Sequence, residues 1–395
     1  MSATPLLMIP GPIEVSPAVL AATSIAPPSH VSAAFIERFG SALGRMRAVW
    51  GADAAHRPMV LAGSGTLAME QAIANVVDPG DAVVVVNTGY FSDRIAEIVT
   101  RRGGRARSVR AEPGATIGAD ALRAELQAGP PPSVVCLTHV DTSTGVRVDV
   151  PSLAAAAKEA GALVVVDGVC ATGGERLDMA AWGVDVALTA SQKAIGLPVG
   201  LALSVVSPAA WRARERLRMP PALYLDWMVW QPIFEAYEAG RPSYFATPAT
   251  TLIPALDVAL GELLDADDGA SRGIETVIVR HERVAAAMRA GWAALGLDLL
   301  PEAGAEANTL SAIRLPEGVG PDLPARIARH GVTVAGGLHP SIRHTYFRVG
   351  HMGWVTTQPE LLLRAVEAVG QGLADAGHPV DVGFAAIAVE AALDG

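Results

Sequence analysis

The sequence predicts an α/β protein: a mostly parallel, doubly wound sheet in a large domain, followed by a smaller α+β C-terminal domain. Three observations predict it. Short apolar runs at Met59–Ala62, Asp81–Asn87, Ser133–Thr138, Leu163–Val166 and Val184–Leu188 are continuous rather than alternating, as in strands covered on both faces. Segments with helical spacing lie between the runs, the pattern of a wound parallel sheet, from about residue 59 to 206. The residues richest in chemistry (Ser64, Phe91, Thr142, Asp167 and Lys193) fall past the carboxyl ends of those runs, where such sheets bind ligands.

In chain order, residues 1–15 read as an extended arm, held out of helix by Pro5, Pro10 and Pro12. Val31–Trp50 has helical apolar spacing at Phe35, Phe39, Leu43 and Met46. After the first strand come Gly63-Ser64-Gly65-Thr66 and a helix over Leu67–Val77. Strand, glycine turn and helix N-terminus form an arrangement that binds phosphate, although most such turns are ordinary connections. The next strand ends in Thr88-Gly89-Tyr90-Phe91, with a helix starting near Ser92. An aromatic there can lie on a planar ligand or simply pack. Arg101–Arg110 is basic and reads as a solvated surface. Ser133–Thr138 leads into a hydroxyl-rich turn, His139-Val140-Asp141-Thr142-Ser143-Thr144-Gly145, able to hold a polar group or to make side-chain turns.

Leu223–Ala239 is aromatic-rich and reads equally as a dimer surface, a pocket wall or a core stripe. Beyond a helix at Leu252–Leu264, the acidic turn Asp265–Gly269 marks a domain boundary. The division is then an arm at 1–15, a large domain at 16–265 and a small domain at 266–395. The small domain reads as helix Ile274–Ala294, strand Leu310–Ile313, helix Leu323–His330, strands Val332–Ala335 and Tyr346–Val349, and final helices.

The 395 residues are half apolar and 18% charged, enough for full cores. A net charge of −10 argues against a nucleic-acid partner. The N-terminal stretch has no basic region and breaks early at prolines, and no apolar run reaches membrane-spanning length. A soluble cytoplasmic protein is expected. Cys136 and Cys170 sit beside apolar runs and read as buried thiols. The chain lacks dinucleotide-binding, P-loop, CxxC and HExxH patterns, so nicotinamide, P-loop nucleotide and zinc readings are poor.

Lysine usage is the sharpest signal. Only Lys158 and Lys193 occur, so 28 of the 30 basic residues are arginine. A lysine kept in such a chain suits amine chemistry, which an always-protonated guanidinium cannot perform. Lys158 ends a helical stretch and reads as a solvated cation near a helix C-terminus. Lys193 follows a strand end among Ala190, Ala194, Ile195 and Gly196.

These segments resemble the class V, fold-type I pyridoxal-phosphate aminotransferases, in the alanine/serine–glyoxylate group. Pro10-Gly11-Pro12, GSGTLAME, DTSTGV, VDGVCATGG, SQKAIGLPVG and FRVGHMG match that family's segments in order over most of the chain. The resemblance implies pyridoxal 5'-phosphate as cofactor, with Lys193 forming its Schiff base and Asp167 pairing with the pyridine nitrogen. It implies Ser64, Gly65, Thr66 and Gln192 on the phosphate, Phe91 on the ring and Thr142 at the ring hydroxyl. Tyr244 and Thr247 would approach the neighbouring subunit's phosphate, making a homodimer with shared active sites. Arg348 would grip the substrate carboxylate, with Gly11 and His339 at the substrate.

The implied reaction moves an amino group from alanine or serine to a 2-oxo acid such as glyoxylate. One departure is Gly336-Gly337-Leu338-His339-Pro340-Ser341-Ile342-Arg343-His344, where relatives often carry a lysine- and glycine-rich run. His339 and Arg343 there leave the substrate open. Pyridoxamine–pyruvate and ureidoglycine–glyoxylate transaminases have overlapping motifs. Two further classes compete with a transaminase: a lyase or desulfurase, which needs a mobile cysteine, and a binding protein that has lost the chemistry.

Overall fold

The computed structural model describes residues 5–394; residues 1–4 of the expected arm lie outside them. Seven strands form the main sheet in the order Arg57–Ala62, Leu201–Val206, Val186–Ala190, Leu163–Asp167, Val134–Thr138, Ala82–Asn87, Arg105–Arg110. The last five in that order run parallel to one another. Leu201–Val206 is antiparallel to both of its neighbours. Val83–Val86 and Val134–Leu137 are at most 1% exposed. Continuous valine suits such positions because both faces are covered. Helices Gly65–Val76, Tyr90–Arg101, Ala119–Ala128 and Val150–Glu159 make the crossovers.

A second sheet orders Leu310–Arg314, Tyr346–Gly350 and Ala335–Gly336, all antiparallel. Its core is separate and includes Met288, Trp292, Phe347, Val349, Leu362 and Val366. The helices Ile274–Ala294, Pro359–Asp375 and Val382–Asp394 supply much of it.

Three expectations change, and one open reading is settled. Arg101–Arg110 is more than a solvated surface, because Arg105–Arg110 is the parallel edge strand of the main sheet. Its exposed arginines hide the strand pattern and guard the open edge. Val332–Ala335 is not one strand. Val332–Thr333 pairs in parallel with Leu6–Leu7 of the arm, while Ala335–Gly336 pairs with the Tyr346–Gly350 strand. Lys158 is not a free helix-end cation. Its ammonium pairs with the Asp185 carboxylate, which is buried and also accepts from Val164 N at 2.8 Å and Ser207 Oγ at 3.0 Å. In the aromatic stretch, Trp227, Trp230, Phe234 and Tyr237 are core, so that stripe packs inward. Among the described residues, no helix is long and apolar enough to cross a membrane.

Candidate active site

Lys193 stands three residues past the Val186–Ala190 strand, in a turn closed by Ser191. Ser191 Oγ donates to the Pro198 carbonyl at 2.8 Å and accepts from Leu201 N at 3.1 Å. The lysine is 7% exposed, and its ammonium donates to the Pro10 carbonyl. Gly11 makes this contact possible: a Cβ there would lie 2.6 Å from Lys193 Cδ and 2.9 Å from the Gln192 carbonyl. Its φ of +94° also favours glycine. The paired arm therefore runs directly over the lysine.

Burial lowers the Lys193 pKa, with Arg348 adding to the shift and Cys170 and Asp167 opposing it. Asp167 ends the neighbouring strand and is 2% exposed. Its carboxylate accepts from Val169 N at 2.9 Å. Burial pushes this acid up to about 7, Asp141 adds to the rise, and Lys193 and Arg94 oppose it. Base and acid thus stand on adjacent strand ends, each within reach of the other's charge.

Arg348 arrives from the smaller sheet. It is 9% exposed, and it donates to the Gly336 and Thr142 carbonyls, both at 3.0 Å. Burial lowers its pKa. Arg348 stands at the middle of the strand Tyr346–Gly350 rather than at its end, and both of its described hydrogen bonds go to backbone rather than to a surface acid. Through Thr142, the small sheet's arginine joins the large sheet's hydroxyl-rich turn.

That turn is built on Asp141, the first residue of DTSTGV, whose part in the site the sequence does not assign. Its fully buried carboxylate accepts from Phe91 N at 3.1 Å, Ser92 N at 3.2 Å and Ser143 N at 2.9 Å. It caps the helix Tyr90–Arg101, where amide donors are otherwise orphaned and the dipole favours a negative charge. Phe91 is half-buried at the same helix start, edge-on to Tyr90 at 5.4 Å. Arg94, unmarked by any motif, donates to Thr66 Oγ1 at 3.0 Å and to Tyr90 Oη at 2.8 Å. Its spacing of four from Tyr90 is the one available signal, since such residues share a helix face.

Ser64 is exposed and precedes the helix Gly65–Val76 without capping it. Gly65 is closely packed: a Cβ would meet Val169 Cγ2 at 2.7 Å. Gln192 Oε1 is buried with no partner among the described residues.

Tyr346, a second residue outside the quoted motifs, ties the departing loop down. Its hydroxyl accepts from Leu338 N at 2.9 Å and His339 N at 2.8 Å, and donates to the Ser143 carbonyl. His339 is half-buried, its ring bonded to Ser341 Oγ at 2.9 Å. Arg343 is exposed and donates to His344. Tyr244 and Thr247 stay apart from this group. They are exposed on the loop before Leu252–Leu264, 3.5 Å from each other.

Comparison with known proteins adds three findings. The family model "Aminotransferase class-V" matches residues 21–356. Alanine–glyoxylate aminotransferase 1 of Saccharomyces cerevisiae is 36% identical over 358 residues, covering 88% of this chain and 91% of that one. Two solved structures share the fold over nearly the whole length. An alanine–glyoxylate aminotransferase from Nostoc sp. has a TM-score of 0.85 at 30% identity, covering 94% of this chain and 96% of that one. A pyridoxamine–pyruvate aminotransferase from Mesorhizobium loti has a TM-score of 0.90 at 26% identity, covering 99% and 98%.

Proposed function

The chain belongs to the class-V aminotransferase family, and on that premise we propose that it moves an amino group from a small amino acid, alanine or serine, to a 2-oxo acid such as glyoxylate. Pyridoxal 5'-phosphate is the proposed cofactor, supplying an aldehyde that condenses with amines and a protonated ring that draws electrons from the substrate's α-carbon. The residues fit that group. Asp167 is a buried acid bonded to no cation among the described residues, which suits a protonated ring nitrogen. Gln192 Oε1 is buried and orphaned, and Gly65 leaves no room for a side chain at the first turn of its helix.

Each residue has a task in this reading. Ser64, Gly65, Thr66 and Gln192 hold the phosphate, Phe91 covers the ring, and Thr142 bonds the ring hydroxyl. Asp167 ionises beside the ring nitrogen and keeps its proton in place. Lys193 anchors the cofactor as a neutral amine, which its burial favours. Once displaced by the incoming amine, Lys193 moves the proton off the substrate α-carbon. Arg348 takes the substrate carboxylate, with Gly11 and His339 beside it. A planar fork fixes orientation as well as charge.

The observation that carries this reading is that Lys193 and Arg348, both buried, bond only to backbone carbonyls among the described residues. A buried amine and a buried guanidinium with no carboxylate partner among the described residues suit a carbonyl cofactor and a carboxylate substrate. A desulfurase is disfavoured: Cys136 is buried with its thiol pushed up to about 12, and Cys170 is 1% exposed. The assembly in this reading is a homodimer in which Tyr244 and Thr247 complete the partner's site. The 62% exposure of Tyr244, with Val199 and Leu223 also exposed, supports a covered face there.

Half-reaction spectra with a panel of donors test the reading. Alanine or serine should convert the cofactor to its amine form, and glyoxylate should return it. Conversion by pyridoxamine alone, or by no donor, would overturn it.

A further inference from the structure

We propose that Arg94 is the counter-cation for the phosphate of the bound cofactor. The inference rests on the aminotransferase reading above, because it concerns the group that reading requires. It starts from a deficit of charge. A phosphate monoester carries roughly −1.5 to −2 at neutral pH. The residues expected to hold it, Ser64, Gly65, Thr66 and Gln192, are all neutral. A helix N-terminus offers only about half an elementary charge.

Arg94 meets that deficit. Its Nη1 donates to Thr66 Oγ1 at 3.0 Å, so the guanidinium touches the phosphate-type turn itself. Accepting from Arg94 leaves the Thr66 O–H free to donate to an incoming oxygen. The guanidinium carbon lies 4.9 Å from the Tyr90 ring centroid and 5.3 Å from that of Phe91. Nη2 is held by Tyr90 Oη at 2.8 Å. The fork is therefore held in place before any ligand arrives. Nearby acids are already engaged, Glu97 with Arg101 and Asp93 with Arg110. Arg94 itself has no carboxylate within salt-bridge distance among the described residues, and it is half-buried. A held, unpaired guanidinium on that turn calls for an anion there. The competing anion is a carboxylate at the far end of a dicarboxylic substrate.

The test compares two cofactor forms. Cofactor-free wild type, Arg94→Gln and Arg94→Lys are titrated with pyridoxal phosphate and with pyridoxal, which lacks the phosphate. Binding is read from cofactor absorbance and quenching of protein fluorescence. Arg94→Gln should weaken pyridoxal phosphate roughly tenfold to a hundredfold and leave pyridoxal within about threefold. Arg94→Lys should recover part of the loss, keeping the charge without the fork. It serves as the sole probe if the Gln variant does not fold, with the same phosphate-selective loss expected. Equal losses for both ligands would overturn the proposal as a structural effect. Unchanged binding of both, with KM raised only for dicarboxylic donors, would reassign Arg94 to the substrate and also overturn it. A wild type that binds neither form would overturn the functional reading instead.

Discussion

Burial pushes the Asp167 carboxyl up to about 7 and lowers the Lys193 pKa, so the protein alone disfavours both charges. The Asp167 shift has a measurable sign. Its folded value exceeds the unfolded value of 3.8, so its contribution to stability is full at low pH and fades as pH rises through about 7. Cofactor-free Asp167→Asn should melt above the cofactor-free wild type. The gap should widen from pH 5 to about 7 and then level at roughly 2–5 °C, while transamination is lost. Differential scanning fluorimetry across pH checks this, and a pH-independent gap would contradict it. Asp167 and Lys193 were legible because an acid ended an apolar run and one lysine of two followed another. Arg348 was legible only through its motif. Arg94 and Tyr346 were not, and Asp141 was legible as part of DTSTGV but not as the cap of the helix Tyr90–Arg101, because a polar residue in a sequence does not name the chain segment it will touch.

The arm illustrates the next scale. Two residues, Leu6–Leu7, pair with Val332–Thr333, and the following turn brings the Pro10 carbonyl to the lysine. Gly11 is the tight point of this path. Gly11→Ala should push the lysine stem or the arm aside, because the new Cβ would lie 2.6 Å and 2.8 Å from Lys193 Cδ and Cε. The expected result is a fall in kcat/KM of about a hundredfold or more together with a lower melting temperature, because alanine at φ +94° is strained and its Cβ would also lie 2.9 Å from the Gln192 carbonyl. Full activity in that variant would remove the arm from the site. The central strands were legible because their valine runs admit no alternation. The Arg105–Arg110 edge strand was not, since its exposed arginines read as surface. Nor was the arm's pairing, whose partner lies near the far end of the chain.

For the whole molecule, we propose the large domain at 16–265 and the small domain at 266–395, a division supported by two separate apolar cores. Lys193 and Asp167 follow strands of one sheet, and Arg348 comes from the other. Through residues 223–245 the core aromatics Trp227, Trp230, Phe234 and Tyr237 are flanked by the exposed Tyr224 and Tyr244, and apolar pattern alone does not mark that difference in the sequence. Mixing two inactive proteins tests the shared site. Lys193→Ala and a Tyr244→Ala/Thr247→Ala double variant, mixed equally and allowed to exchange, should regain about a quarter of wild-type activity through one intact site per mixed dimer. No recovery, with mixed dimers verified by mass, would make each subunit self-sufficient.

The amine at position 193 is the point on which all of this turns, and a chain with two lysines makes it directly measurable. Protein loaded with pyridoxal phosphate is reduced with borohydride, digested and weighed peptide by peptide. The cofactor's mass should appear on the peptide containing Lys193 and be absent from the Lys193→Ala protein. A label on Lys158, or none on either lysine, would contradict the account.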